Sequence, residues 1–531
     1  MIFFKAGINK LLFTMIKTKL KNNGFWIVTY LLIAIKLCLH FYTNTNYELH
    51  RDEMLYFNMA DHLSFGYATV PPVIGLFAFI IKTLFGYSVF GIRLIPALLG
   101  AASIFIISRI VKEMGGGTLA LIIAGFAFLL SPGFLLFDTL FTPNVIEQFL
   151  WLLITWYIFR MVRLNKPQLW ILIGALLGIA FMNKYSVLFF ITGFFIAMFF
   201  SPYRKLLNSR YFYWSLAIGV FLILPNIAWQ FLNSWPVIYH LGELNLTQMA
   251  NMTYTNYFVD IFTLNSVSTI VWLIGLFSLI FLKKEKIFRF IGVASLIIIL
   301  LFLLLKGKGY YILGLIPFLF AAGGCAMEYY LKKRLIWVSY FILFVSVIAS
   351  LATMPFGLPL LSFEKLNKYR EKTESFIIYP FYRWEDGKVH NISQVYSDMT
   401  GWSELAGYVS KAYHQLTIAE QNKCTIYAER NYGNAGAIHF YGREYGIPEP
   451  VTFLESYVFW APDTIPNGPF IYINGDKEGI KALFGNITEV GCVNNNYFRE
   501  NGLKVFVCKS PLINVQEVYR EKAIKEKNIY R

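Results

Sequence analysis

Charge is what this sequence has little of. Of 531 residues only 15% are Asp, Glu, Lys or Arg, while 57% are hydrophobic. Ordinary soluble domains carry about 25% charged residues, so that class is excluded, and the apolar surplus excludes a disordered chain. Cysteine is scarce as well. Cys38 and Cys325 lie in apolar runs, and Cys424, Cys492 and Cys508 lie near the end, at no metal-binding spacing. One disulfide, with Cys492 and Cys508 as the candidate pair, is the most the tail calls for. No small-residue cleavage signature follows the first apolar run, which ends in His40-Phe41-Tyr42-Thr43. That run reads as a retained first span rather than a cleaved signal peptide.

What is present is membrane-spanning material. The net charge of +16 belongs entirely to residues 1–355, with 27 Lys+Arg against 11 Asp+Glu, because residues 356–531 hold 20 of each. The positive side chains fall in short clusters between apolar runs, which suits orientation in a bilayer and speaks against a nucleic-acid-binding face. Crossing a hydrocarbon core of about 30 Å takes about 20 mostly apolar residues. Runs near 25–43, 91–111, 117–133, 143–162, 169–183, 186–201, 212–230, 265–282, 287–305, 311–329 and 335–354 predict an α-helical polytopic protein with about eleven transmembrane helices.

Loop charge sets the orientation. Lys5, Lys10, Lys17, Lys19 and Lys21 place the N-terminus in the cytoplasm. The alternate loops with Arg160, Arg163 and Lys166, then Arg204, Lys205 and Arg210, then Lys283, Lys284, Lys286 and Arg289, then Lys332, Lys333 and Arg334 agree with it. An odd number of spans puts residues 356–531 on the extracytoplasmic side, as a tail whose strand-like and helical runs predict a small α/β domain. Strands are expected at 424–428 and 470–473, helices at 402–416 and 477–484, and a charged helix or frayed tail at 515–531.

Eight of the eleven acids in residues 1–355 fall at outer loops: Glu48, Asp52, Glu53, Asp61, Asp138, Glu147, Glu243 and Asp260. Acids tolerate translocation, which accounts for any one of them; a set of ionisable groups beside a membrane core marks working sites. The outer basic residues Arg51, Lys82, Arg93, Lys184, Lys306 and Lys308 run against the orienting rule. Lys184 sits in a turn between two apolar runs, where its partner is either an outer acid or the phosphate of a lipid ligand. Apolar spacing predicts a short amphipathic helix over 53–64 with Asp52 near its start, then an interfacial or re-entrant helix over 72–85. Asp52 and Glu53 then read either as an N-cap with a first-turn acid or as a general base at the bilayer surface.

These residues resemble a known family. Arg51-Asp52-Glu53 with Tyr56, Gly66-Tyr67, Pro71-Pro72 and the run from Gly91 through Arg93 and Pro96 to Gly100 are similar to bacterial glycosyltransferases related to dolichyl-phosphate-mannose protein mannosyltransferases. Asn183-Lys184-Tyr185-Ser186, Leu224-Pro225-Asn226, Trp235-Pro236, His240-Leu241 and Lys306-Gly307-Lys308-Gly309-Tyr310-Tyr311 continue the likeness. In the tail, Gly401-Trp402 and the stretch from Asn431 to Ala437 extend it. The resemblance implies a GT-C fold, with residues 1–355 as the transmembrane glycosyltransferase domain and 356–531 as an extracytoplasmic soluble α/β domain. It implies an inverting hexosyl or pentosyl transferase of the cell inner membrane. The partners would be a polyprenyl-phosphate-linked sugar donor, membrane lipid and an extracytoplasmic acceptor that is a lipid, protein or glycan, with no nucleic acid.

By the same resemblance Asp52 is the catalytic acid position and Glu53 its partner, and Lys184, Lys308, Tyr310 and Tyr311, with Arg93, fall near the carrier phosphate. Asp138, Glu147 and His240 are further outer-face candidates. Departures from the family's pattern are Thr69-Val70 before the double proline, where relatives have His or a Glu-Lys pair, and Asn144 where many have Asp. Glu147, one turn on from Asn144, can substitute for the Asp or can simply cap a span. His240 with Glu243 is a thin ligand set, since catalytic metals usually take three protein ligands. No cofactor is therefore assigned and a divalent metal is left open. A transporter or flippase of lipid-linked sugars is the rival class; it predicts inverted repeats and broken helices.

Overall fold

The computed structural model describes residues 2–247, 249–331, 335–373 and 379–530. The basic trio Lys332, Lys333 and Arg334 lies outside the described residues, as does 374–378 at the expected start of the α/β tail. Helices occupy every position where an apolar run was read. Among the described residues seven helices are long and apolar enough to cross a membrane: Asn23–Thr43, Val89–Glu113, Pro143–Leu164, Arg210–Leu232, Tyr254–Phe281, Lys286–Leu304 and Ile336–Gly357. Val187–Phe199 and Pro202–Asn208, bent by 114° at their junction, make an eighth if taken as one span. Thr118–Leu130, Leu169–Asn183 and Ile316–Tyr330 have 13, 15 and 15 residues, short of the full crossing length. The expected count of eleven spans is therefore not confirmed. Apolar composition runs on through turns: Ser131, extended at ψ 125, ends one helix and Pro132 opens the next inside a single apolar run.

Local chemistry sets the helix ends. Pro143 sits in the first turn of its helix, where a missing N–H costs nothing, and Asn165 closes that helix in left-handed backbone at φ 49. Small residues then let helices approach. A Cβ on Gly275 would lie 2.0 Å from the Leu319 carbonyl oxygen, and one on Gly323 would lie 2.0 Å from that of Val271. The helices Thr269–Phe281 and Ile316–Tyr330 thus cross backbone to backbone, as small-residue contacts allow in membranes. Gly323→Val forces that crossing apart. The expected result is loss of monodisperse protein in detergent, whereas the same change at the open Gly242 leaves elution unaltered.

In the loop after the first span the helix is Arg51–Asn58, not the 53–64 of the amphipathic pattern. His50 Nδ1 accepts the Asp52 amide and Glu53 Oε2 accepts the His50 amide, and this reciprocal cap starts the helix at 51. After Met59 the chain turns so that the buried Tyr67 hydroxyl reaches the Met59 carbonyl oxygen. The expected helix over 72–85 is present as Val73–Phe85.

The tail carries a four-stranded sheet, β1 (Thr425–Ala428), β2 (Phe470–Asn474), β3 (Phe484–Cys492) and β4 (Lys504–Pro511), in the order β1-β2-β4-β3. β1 and β2 are parallel, and the other pairs are antiparallel. The helix expected at 477–484 is only a turn, Glu478–Ile480, before β3 begins. Helices Trp402–His414 and Val515–Asn528 form as expected. All five cysteines are free. The register explains why Cys492 and Cys508 do not bond: Cys508 faces Ile487, and Cys492 faces Lys504 farther along the strand.

The tail docks through glycines on the loop after the first span. A Cβ on Gly433 would stand 2.9 Å from Arg51 Cβ, and one on Gly436 would stand 2.8 Å from Met54 Cβ. Helix Tyr432–Tyr441 therefore lies directly on helix Arg51–Asn58, and Glu48 accepts the amides of Trp402 and Ser403 at 2.7 and 3.3 Å.

Candidate active site

A cavity of about 410 Å³ opens where the loop after the first span, the helix ends and the tail meet. Asp52, Asn144, Asp260, Lys308, Tyr310 and Glu385 are among the residues that line it. Asp52 is at the start of its helix, with 31% of its side chain exposed to the cavity. It accepts a hydrogen bond from the Tyr432 hydroxyl, 380 residues away. Burial alone would raise its carboxyl; His50, Arg51 and the Tyr432 hydrogen bond outweigh that and hold it below the usual range. At neutral pH it is an ionised acceptor.

Glu53 faces the other way. It is fully buried and bonded to Arg93, Nη2 to Oε2 at 2.8 Å, and its Oε1 accepts the Phe141 amide at 3.0 Å. Arg93 spends its remaining donors on the carbonyls of Asn44, Tyr47 and Glu48 at 2.6, 3.0 and 2.7 Å. The structure brings Glu53 and Arg93 to each other rather than to the cavity wall.

The two lysines both lie close to the tyrosine pair. Lys184 Nζ is 5.6 Å from the Tyr310 ring centroid and 4.8 Å from that of Tyr311. Lys308 Nζ is 6.0 Å from the Tyr310 ring. Lys184 donates to Asn144 Oδ1 at 2.7 Å and Glu147 Oε2 at 2.9 Å, and Ser186 binds the other Glu147 oxygen. Asn144 and Glu147 thus share the place at Lys184. Lys308 pairs with Glu385 at 2.6 Å. Burial pushes the Tyr310 and Tyr311 hydroxyls upward, so both stay protonated donors.

Asp138 lies elsewhere, paired with Lys36 at 2.7 Å inside the helical layer, where the two side chains are 4% and 0% exposed. His240 is on helix Pro236–Thr247, and burial lowers its imidazole to about 4. Among the described residues no three His, Cys, Asp or Glu side chains converge as a metal site needs.

Four site residues escaped the sequence reading. Asp398 is 1% exposed and holds Arg51 and Arg499 at 3.3 and 3.0 Å. Arg383 reaches Asp260 at 3.7 Å, and Glu385 holds Lys308. Glu455 enters from the tail in left-handed backbone at φ 53. Burial and the negative charge of Asp52 push its carboxyl up to about 7 against the opposing effects of Thr69 and Arg51. The only sequence signal for the first three is that Arg383-Trp384-Glu385 and Asp398 break otherwise weakly charged stretches.

Glu455 makes a pH prediction. Its pKa is raised on folding, so between 4.5 and about 7 the folded chain keeps a proton the unfolded chain has lost. That contribution is present below the window and disappears as pH rises through it. Thermal stability in detergent should fall across this range, and Glu455→Gln should flatten the slope and be the more stable form above pH 7. An unchanged slope removes Glu455 as its source.

Residues 69–229 match the family model described as dolichyl-phosphate-mannose-protein mannosyltransferase. The lipid A galacturonosyltransferase RgtD of Rhizobium johnstonii is 25% identical over 202 residues, which is 36% of this chain and 41% of that one. The match therefore spans only about two fifths of that curated relative. Among solved structures, ArnT from Cupriavidus metallidurans bound to undecaprenyl phosphate superposes with a TM-score of 0.59 at 15% identity, covering 91% of this chain and 98% of that one. Its apo form gives 0.55 at 14% identity, with coverage of 91% and 97%. The resemblance read from the sequence is borne out, and with it the GT-C fold: a polytopic helical membrane protein with a small mixed-sheet tail.

Proposed function

We propose that this chain is an integral-membrane glycosyltransferase that moves a sugar from a polyprenyl-phosphate carrier to an extracytoplasmic acceptor hydroxyl, with Asp52 as general base. The observation that carries the reading is one cavity lined by an ionised, reachable carboxylate, Asp52, together with Lys308 and Tyr310, with Lys184 and Tyr311 packed against that tyrosine. The match to a mannosyltransferase family model, the galacturonosyltransferase relative and the carrier-bound neighbour support it.

In this reaction Asp52 takes the proton of the acceptor hydroxyl as its oxygen attacks the anomeric carbon. The bond from that carbon to the phosphate oxygen breaks on the opposite face, so configuration inverts and the electron pair leaves with the carrier phosphate. Lys308 and Lys184 neutralise the growing phosphate charge, and Tyr310 and Tyr311 are placed to donate to it. Losing one such contact costs about 2.7–4 kcal/mol of transition-state stabilisation, or roughly 100- to 1000-fold in rate. Glu53 and Arg93 hold the loop that carries Asp52. The N-terminus is cytoplasmic and the tail extracytoplasmic, in the inner membrane, as the loop lysines and arginines indicate. A hexose or pentose fits this chemistry equally, and the acceptor is a lipid, protein or glycan.

The test is purified protein in vesicles supplied with radiolabelled polyprenyl-phosphate sugar or with nucleotide sugar. Label should pass to an acceptor from the lipid-linked donor alone. A flippase would move that donor across the vesicle without sugar transfer, and that result overturns the reading.

A further inference from the structure

Among the described residues, the basic side chains Lys308, Arg383 and Arg51 that line the cavity, and Lys184 and Arg499 beside them, already face carboxylates. Lys308 holds Glu385 at 2.6 Å, Lys184 holds Glu147 at 2.9 Å, Arg383 faces Asp260 at 3.7 Å, Arg51 and Arg499 share Asp398 at 3.3 and 3.0 Å, and Arg51 also faces Asp52 at 3.7 Å, so these five cations meet five carboxylates. A carrier phosphate brings further negative charge, and a monoester product carries about −1.5 to −2 at neutral pH. It cannot add to a matched set without one carboxylate giving way.

The carboxylates differ in how they are held. Asp398 and Glu147 have side chains 1% and 7% exposed. Asp260, 27% exposed, is fixed within the regular helix Tyr254–Asn265. Glu385 is 30% exposed and sits on a short tongue over the cavity, where Arg383 bridges Val389 and Gly387 turns the chain at φ 78. Trp384 braces the tongue by stacking on His390 at 3.7 Å and by donating to the Ile392 carbonyl at 2.9 Å. Gln394 donates to the second Glu385 oxygen at 2.8 Å, so the carboxylate keeps a hydrogen-bond donor when it leaves Lys308.

We propose that Glu385 is a positioning residue for Lys308, a tethered counter-ion that occupies the lysine until the phosphate of the lipid-linked substrate displaces it. The inference rests on the donor reading above. Lys308 is thereby aimed into the cavity before substrate arrives, at the cost of affinity, since substrate must compete with an attached carboxylate. Glu385 is firmly ionised, down to about 2, because the Lys308 charge and hydrogen bonds outweigh burial.

The experiment is binding of undecaprenyl phosphate, and separately of inorganic phosphate, to the full chain in nanodiscs. It compares wild type, Glu385→Gln, Glu385→Asp and each combined with Lys308→Met. Glu385→Gln should bind undecaprenyl phosphate about tenfold more tightly, equal to about 1.4 kcal/mol. Glu385→Asp should stay near wild type, and Lys308→Met should erase the gain. A parallel gain for inorganic phosphate assigns the effect to the phosphate group itself, and its absence assigns it to the lipid-borne form; both uphold displacement. Unchanged or weaker binding by Glu385→Gln, with wild type binding normally, overturns displacement and leaves the donor reading standing. Failure of every form, wild type included, to bind undecaprenyl phosphate overturns both.

Discussion

Replacing Asp52 by Asn should lower sugar transfer by about 100- to 10,000-fold, the usual contribution of a positioned general base, while the donor KM stays within a few-fold of wild type. Asn keeps the shape of Asp and can still accept the Tyr432 hydroxyl, so the contact between loop and tail survives. Only the capacity to take a proton is lost. The pH behaviour provides a second reading of the same group. Asp52 is held below the usual carboxylate range, with burial opposed by His50, Arg51 and Tyr432, so lowering pH from neutral toward 5 should not protonate it. A loss of rate over that interval would belong to another group. Tyr432→Phe removes one of the supports and should move the acid limb of the wild-type profile upward. If Asp52→Asn retains transfer within about tenfold of wild type, the proton goes to another acceptor, and Glu455 becomes the next candidate.

Much of this arrangement was legible before any coordinates, and what was missed was missed for physical reasons. Apolar runs located the helices because hydropathy reports what can be buried in lipid. They did not settle the number of spans, because composition does not register a turn such as Ser131-Pro132. Lys184 stood out as a cation in a tight turn, and its partners Asn144 and Glu147 lie in the first turns of the neighbouring helix Pro143–Leu164, within reach of reasoning about adjacent spans. Glu385 and Asp398 did not stand out: they come from polar segments with no helical or strand period and meet Lys308 and Arg51 across 77 and more than 300 residues. Asp138 looked like an outer-loop acid because sequence shows where a charge falls and not what it faces; its partner Lys36 sits in the middle of the first apolar run. The glycines of the 431–437 stretch carried the family likeness without a reason, which the contact with Arg51 and Met54 supplies.

The second large effect concerns Glu53 and Arg93, and it separates support from chemistry. Both side chains are fully buried and each is saturated by the other or by backbone. Removing one member of a buried pair leaves an uncompensated charge and typically costs 3–5 kcal/mol. Arg93→Met should therefore yield little monodisperse protein, since the carbonyls of Asn44, Tyr47 and Glu48 lose their donors as well. Glu53→Gln should lower the thermal midpoint markedly and lower activity in proportion to the folded fraction. Its per-molecule rate, normalised to folded protein, should stay far above that of Asp52→Asn. A Glu53 that worked on substrate would give the opposite split, with a normal midpoint and a collapsed rate. The pair also explains why the loop can present an ionised Asp52 beside a membrane. Capping by Glu53 starts helix Arg51–Asn58, Arg93 ties that cap to helix Val89–Glu113, and the next residue toward the N-terminus is left facing the cavity.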